Sequence, residues 1–373
     1  MARKRRILVT GVARWWGALL VQRLVEEPDV AEVIGIDTRE PHHDLGRADF
    51  LRLDIRHSLI GKLVRAVGVD TVVHTGTTID SFDLDARRAH ETNVIGTLNL
   101  LAGCAGADSP VRRFVLKSSG HVYGSRHDLP AHLREDRRLA ADSPHAFVRD
   151  MVEVESYVAD FAVRNPEVKM AVLRFANSLN ADEPQPLARY LDLELVPTVL
   201  GFDPVMQLID RDDCVEAMRL ATVGSAEGAF NVAATHPMPL TALLGAAGKL
   251  HAPLLPPFGL DAASFVLKRL GLAFLSPQLL DLLRWGRSLS TAGAERGLHF
   301  RARLDTPAAF ERYIQNRRVV HFRPEQLAYQ YEQELEEFIR SRRPGDADGS
   351  PDGAAELPSP SRSRPRRSPA RRR

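Results

Sequence analysis

The residues near the start of the chain with types and spacing suited to chemistry are two glycines and two carboxylates. In ILVTGVARWWGALL, Thr10 and Gly11 close a short apolar run and Gly17 opens a second one. A glycine at a strand end permits a tight turn, and a glycine at a helix start permits close helix–strand packing. The N–H groups and dipole of such a helix end attract an anion such as a pyrophosphate. Two glycines alone also fit an ordinary structural turn. Asp37 ends the next apolar run, VIGID, where a carboxylate can accept both hydroxyls of a ribose. Asp54 follows the third run and is placed to meet an adenine amino group.

These side chains need a frame. Residues 7–10, 33–37, 50–53, 71–74, 113–119 and 169–175 read as strands, and residues 17–26, 58–67, 85–105 and 144–163 as helices between them. The strands are nearly continuous apolar runs, the mark of a parallel sheet covered on both faces. The predicted fold is α/β, a doubly wound parallel Rossmann sheet with ligands at the carboxyl ends of its strands. After Asn177 the prolines Pro184, Pro186, Pro197 and Pro204 break the rhythm, with helices expected at 212–221 and 240–250 and a strand at 229–233. Residues 258–283 are strongly apolar but carry Asp261, Lys268, Arg269, Pro277 and Asp281, which reads as two packed helices. The expected organisation is a dinucleotide-binding domain over 6–177 and a smaller, mostly helical substrate lobe over 178–342, partly interwoven with it. A disordered basic tail over 343–373 completes it.

The motifs resemble the extended short-chain dehydrogenase/reductases, the NAD-dependent epimerase/dehydratase group. That family opens with T-G-x-x-G-x-x-G; Thr10, Gly11 and Gly17 match, and Arg14 stands at the middle glycine. Asp37, Asp54, the HTG of His74 to Gly76, Asn93 in NVIGT, SSGHVYG (Ser118 to Gly124), LRFAN (Leu173 to Asn177) and LIDRDD (Leu208 to Asp213) follow in family order. The similarity covers about residues 6–335, and within the group it is to actinobacterial UDP-glucose 4-epimerase-like proteins. It implies a nicotinamide cofactor contacted by Gly11, Arg14, Trp15, Trp16, Gly17, Asp37, Asp54, Ile55, Thr75, Gly76, Asn93 and Arg149. Two placements are open for Trp15 and Trp16: one indole over the cofactor edge, or packing of the first helix against the sheet. NAD is favoured over NADP because Asp37 repels a 2′-phosphate, although Arg14 and Arg39 lie close by. The implied substrate is a nucleotide sugar, touched by Ser119, His121 and Asn177. Gln207 stands near where the family often has a diphosphate-binding arginine, leaving Arg211 and Arg287 as substitutes. A homodimer through the two long helices is also implied.

The family's reaction uses a Ser or Thr, then a Tyr and a Lys spaced Y-x-x-x-K. Ser119 fits the first role. Aligning SPHAFVRD puts His145 at the tyrosine and Arg149 at the lysine, so the spacing survives and the residue types change. In an active reading His145 exchanges the proton, as an imidazole does near neutrality, and Arg149 holds the ribose. In the other reading the chain binds the cofactor as a catalytically degenerate regulator or scaffold. Tyr157 and Tyr123 are expected to be packing residues.

Composition narrows the class. The chain has 373 residues, of which 44% are hydrophobic, enough for a large core. Cys104 and Cys214 form neither a disulfide framework nor a zinc site, which fits a reducing cytoplasm, and no metal is expected. No signal peptide and no apolar run of about 18 residues is evident, so no membrane span is expected. The formal charge of +2 hides seven arginines and no acid from Leu357 onward, so the rest of the chain is net acidic. The tail is read as a solvated extension, with nucleic-acid contact the lesser reading.

Overall fold

The computed structural model describes residues 4–77, 86–181, 185–254 and 276–321. The tail, residue 85 and residues 258–275 lie outside this set. The first part alternates strand and helix: β1 (Arg5–Thr10), α1 (Trp15–Leu24), β2 (Val30–Asp37), β3 (Asp49–Arg52), α2 (Leu59–Val67) and β4 (Thr71–His74). There follow α3 (Ala86–His90), α4 (Gly96–Cys104), β5 (Arg113–Ser119), α5 (Ala146–Arg164) and β6 (Lys169–Phe175). Later come β7 (Asn177–Ser178), α6 (Pro186–Asp192), β8 (Leu195–Val199), β9 (Val205–Met206), β10 (Leu208–Ile209), α7 (Arg211–Val223) and β11 (Gly228–Val232). Finally there are β12 (Met238–Pro239), α8 (Leu240–Ala246), β13 (Leu250–Leu254), α9 (Pro277–Trp285) and α10 (Thr306–His321).

Seven strands form one parallel sheet in the order β11-β6-β5-β4-β1-β2-β3. The side-chain period of a strand explains how it is covered twice. Ile7, Val9, Val115, Ala171 and Leu173 face one core with α1 and α7, while Leu8, Phe114, Leu116, Met170 and Val172 face the other with α2, α4 and α5. A third cluster, including Leu187, Tyr190, Leu240, Leu279, Leu282 and Phe310, sits in the second half of the chain. There the strands form two-stranded pairs, whereas β11 returns to the main sheet beside β6.

Three local departures bear on the site. The helix expected at 85–105 contains a wider π turn, Glu91–Ile95, between α3 and α4, and Asn93 is fully buried in it. The helix expected from residue 144 begins at Ala146, with His145 as its extended N-cap. Both cysteines are buried, and burial pushes the Cys104 thiol up to about 12. Among the described residues no helix is long and apolar enough to cross a membrane, and no cluster of metal-ligating side chains occurs.

Candidate functional site

Backbone contact builds the turn after β1. Gly11 has φ +80, and a Cβ there would meet Gly76 Cα at 2.6 Å. A Cβ on Gly17 would lie 2.5 Å from Gly11 O. The turn therefore closes on the loop after β4 and on the start of α1 only because positions 11 and 17 are glycine; at Gly76 a Cβ would meet nothing closer than Thr10 Oγ1 at 3.3 Å. Arg14 has φ −99 and ψ 153, ordinary for any L-residue, so backbone conformation does not call for glycine at this position. Ala18 N bonds Arg14 O, and the first-turn amides point out of the helix end. The Arg14 guanidinium has no hydrogen-bond or ion-pair partner among the described residues.

Asp37 reaches this turn from β2. Its Oδ2 accepts from Ala13 N at 3.0 Å and its Oδ1 from Arg39 N at 3.2 Å. Asp54 is held by Arg56, whose Nη2 lies 2.6 Å from Oδ2, and this bond holds the Asp54 carboxyl below its usual range. Ile55 is buried with its side chain against Gly96, and its carbonyl accepts from Asn99.

Trp15 and Trp16 are buried and stacked at 4.3 Å between ring centroids, and Trp16 meets Phe175 edge-on at 4.9 Å. Of the two placements expected for them, the structure has the packing one: both indoles belong to the core between α1 and the sheet. Beneath them Lys117 Nζ lies 5.1 Å from the Trp16 ring and donates to Thr77 at 3.3 Å. That buried lysine, on the same face of β5 as Ser119, carries no sequence signature. At the end of β4, His74 bridges Thr10 Oγ1 at 2.6 Å and Thr97 Oγ1 at 3.0 Å. Burial, and then the charge of Lys117, push His74 down to about 3. Thr75 donates to Thr10 O, so the floor of the turn is a closed hydrogen-bonded layer.

The second group of residues gathers past β5. Ser119 is its last residue, with Oγ 2.8 Å from His121 Nδ1. His121 is held well below its ordinary value by burial, then by the charges of Arg287 and His145. A neutral imidazole can donate or accept at Nδ1 according to its tautomer, and Ser119 Oγ also accepts from His121 N at 3.3 Å. His145 Nε2 lies 2.7 Å from Asp281 Oδ2 on α9. Arg287 is buried; Nη1 reaches Gly124 O at 3.5 Å, Nη2 has no partner among the described residues, and burial pushes it down to about 9.

The remaining expected positions are more dispersed. Arg149 is exposed, and its Nη1 donates to Ser143 O at 2.8 Å. Asn177 pairs in β7 against Leu208. Gln207 is committed to backbone groups of Ala234 and Leu289. Tyr123 OH lies between Asn231 and Arg174, and Tyr157 OH donates to Glu153, so both act in packing. Sequence reasoning gave Asp281 no role; its only trace was an acid in an apolar stretch.

Similarity to known proteins follows the same pattern. A family model described as the NAD dependent epimerase/dehydratase family matches residues 7–233. An uncharacterized protein of Mycobacterium tuberculosis (strain H37Rv) is 33% identical over 316 residues, 83% of this chain and 84% of the relative. The UDP-glucose 4-epimerase of Erwinia amylovora is 28% identical over 190 residues, 48% of this chain and 54% of that protein. Among solved structures, a UDP-glucose 4-epimerase from Thermotoga maritima with UDP-glucose superposes with a TM-score of 0.64 at 22% identity, covering 84% of this chain and 99% of that one. A dTDP-glucose 4,6-dehydratase from Streptomyces venezuelae with NAD and TYD bound gives 0.63 at 21% identity, covering 83% and 96%. At such identities the superpositions establish a shared fold.

Proposed function

Because the chain belongs to the NAD-dependent epimerase/dehydratase family, we propose that it holds NAD at the ends of β1, β2 and β4 and acts on a nucleotide sugar through Ser119 and His145. The observation that carries this reading is the presence past β5 of two hydrogen-bonded pairs, Ser119–His121 and His145–Asp281, near enough that a charge on His145 acts on His121.

The residues present fit the cofactor. The glycine contacts leave no room for side chains between turn and helix, the α1 amides face outward, and Asp37 stands beside them. The α1 N-terminus would receive the pyrophosphate, and Asp37 the ribose hydroxyls. NAD, when bound, supplies a reversible hydride acceptor. The chain's own groups handle the proton. With His121 as the Nδ1–H tautomer donating to Ser119 Oγ, the serine O–H is left to donate to the oxygen of a substrate hydroxyl. His145 removes that hydroxyl's proton and returns it, the work the family assigns to tyrosine. Arg149 braces the start of α5 through Ser143.

Mass spectrometry of small molecules released from the purified protein tests the cofactor, with NAD expected. Incubation with UDP- and dTDP-sugars then tests the chemistry through the reduced-nicotinamide absorbance band. Failure to bind NAD overturns the cofactor assignment. NAD that raises the melting temperature but is never reduced favours a catalytically degenerate binder, a reading that the exposed Arg149 at the family's lysine position also favours.

A further inference from the structure

The family pairs its acid–base group with a cation one helical turn away. Here the position of that group is His145, and its partner is a carboxylate from elsewhere in the chain. We propose that Asp281 is the positioning residue of His145: it accepts the Nε2–H, fixes the imidazole tautomer and leaves Nδ1 as the atom that exchanges the substrate proton. This rests on the reading of His145 as the acid–base group.

The geometry is specific. Nε2 and Oδ2 are 2.7 Å apart, and the two side chains are only 15% and 24% exposed. His145 is the extended N-cap of α5 and makes no side-chain cap bond, so its ring is free to leave the helix end. Asp281 is held from the other side. Ser276 caps α9 by accepting from Leu279 N, Pro277 occupies the first turn, and Leu279, Leu282 and Leu283 anchor the helix in the third core cluster. Nδ1 of His145 makes no hydrogen bond to the described residues.

The charged and titratable groups near this ring among the described residues are Asp281 from α9 and His121 after β5, with Arg287 beyond His121. Asp281 is the one bonded to it. When the substrate O–H breaks and Nδ1–H forms, the ring becomes an imidazolium whose charge the carboxylate balances. A proton left on the wrong nitrogen would block that transfer.

A purely structural strut between α9 and α5 would survive Asp281→Asn, which keeps shape and hydrogen bonding. A positioning role would not, because the amide NH2 can donate to Nε2 and stabilise the Nδ1–H tautomer. The test uses the full chain, with 15N NMR of His145 imidazole in wild type and Asp281→Asn, beside steady-state kinetics and NAD titration. The expected wild type carries its proton on Nε2. The variant is expected to shift it to Nδ1, to keep NAD affinity and KM within a factor of about 3, and to lose at least about 100-fold in kcat. Asp281→Ala should relax the ring toward the mixture of tautomers of a free imidazole, with Nε2–H in lesser excess than in wild type. A wild-type ring protonated at Nδ1, or a tautomer indifferent to both variants, overturns the proposal whatever the substrate. A tautomer that shifts as expected, in a protein that turns over no nucleotide sugar, sustains the pairing and sinks the catalytic reading instead.

Discussion

Truncation of Glu155 tests how the site is mounted on the fold. Glu155 on α5 meets Arg174 on β6 through three contacts, Nε to both carboxylate oxygens at 3.2 and 3.0 Å and Nη2 to Oε2 at 2.7 Å. The side chains are 5% and 7% exposed, so neither charge is compensated by water. Ser118, the neighbour of Ser119, also donates to the same carboxylate. Glu155→Ala leaves the guanidinium buried with Tyr123 OH and Glu135 O as its remaining acceptors among the described residues. Breaking a buried pair from one side costs about 3–5 kcal/mol, because the surviving charge stays desolvated. Removing both charges costs much less, since apolar replacements of similar volume are often neutral. Urea denaturation should therefore show Glu155→Ala less stable by about 3–5 kcal/mol, with Glu155→Leu/Arg174→Met recovering most of that loss. Turnover should fall with Glu155→Ala, since β5 and α5 carry Ser119 and His145. A loss below about 1 kcal/mol in the single variant, or a double variant as unstable as the sum of the singles, would refute this account of the pair.

Three more outcomes follow from the same geometry. Gly17→Ala places a methyl 2.5 Å from Gly11 O, so the turn must open; calorimetry should show NAD affinity reduced at least tenfold, about 1.4 kcal/mol, and unchanged affinity would contradict the cradle. Asp37→Ala should weaken NAD by roughly 1.5–3 kcal/mol and narrow its preference over NADP; a variant that keeps the full preference would show that selection lies elsewhere. His74 is held at about 3 in the fold by burial, against about 6.5 in an unfolded chain. Below pH 6.5 the unfolded chain binds a proton that the fold refuses, so stability is full above that pH and declines as pH falls toward 3. His74→Asn should flatten this decline by up to about 1.4 kcal/mol per pH unit, and equal slopes in the two proteins would exclude His74 as a source.

Much of the cofactor half is legible without coordinates because its signals are local. A glycine at φ +80 or a carboxylate ending an apolar run leaves a mark within a few residues, and Gly11, Gly17 and Asp37 meet where their spacing predicts. The indoles of Trp15 and Trp16 were less legible: both core packing and cofactor contact suit an aromatic pair in that turn, and only their burial separates the two. Asp54 was assigned to adenine from position alone, whereas its partner Arg56 depends on a side-chain rotamer.

The sequence by itself determined the alternation of strand and helix, the two-sided sheet and the turn that opens it. Each follows from residue periodicity and backbone freedom, which act over short stretches. The tertiary structure alone decided what stands beside His145. Its partner Asp281 is 136 residues away, on a helix whose position depends on Leu279, Leu282 and Leu283 finding their own core. Arg149, four residues from His145 and suited by spacing, faces solvent instead. Spacing along a chain sets which residues can share a helix face, but the packing of distant elements sets which charge a half-buried imidazole meets.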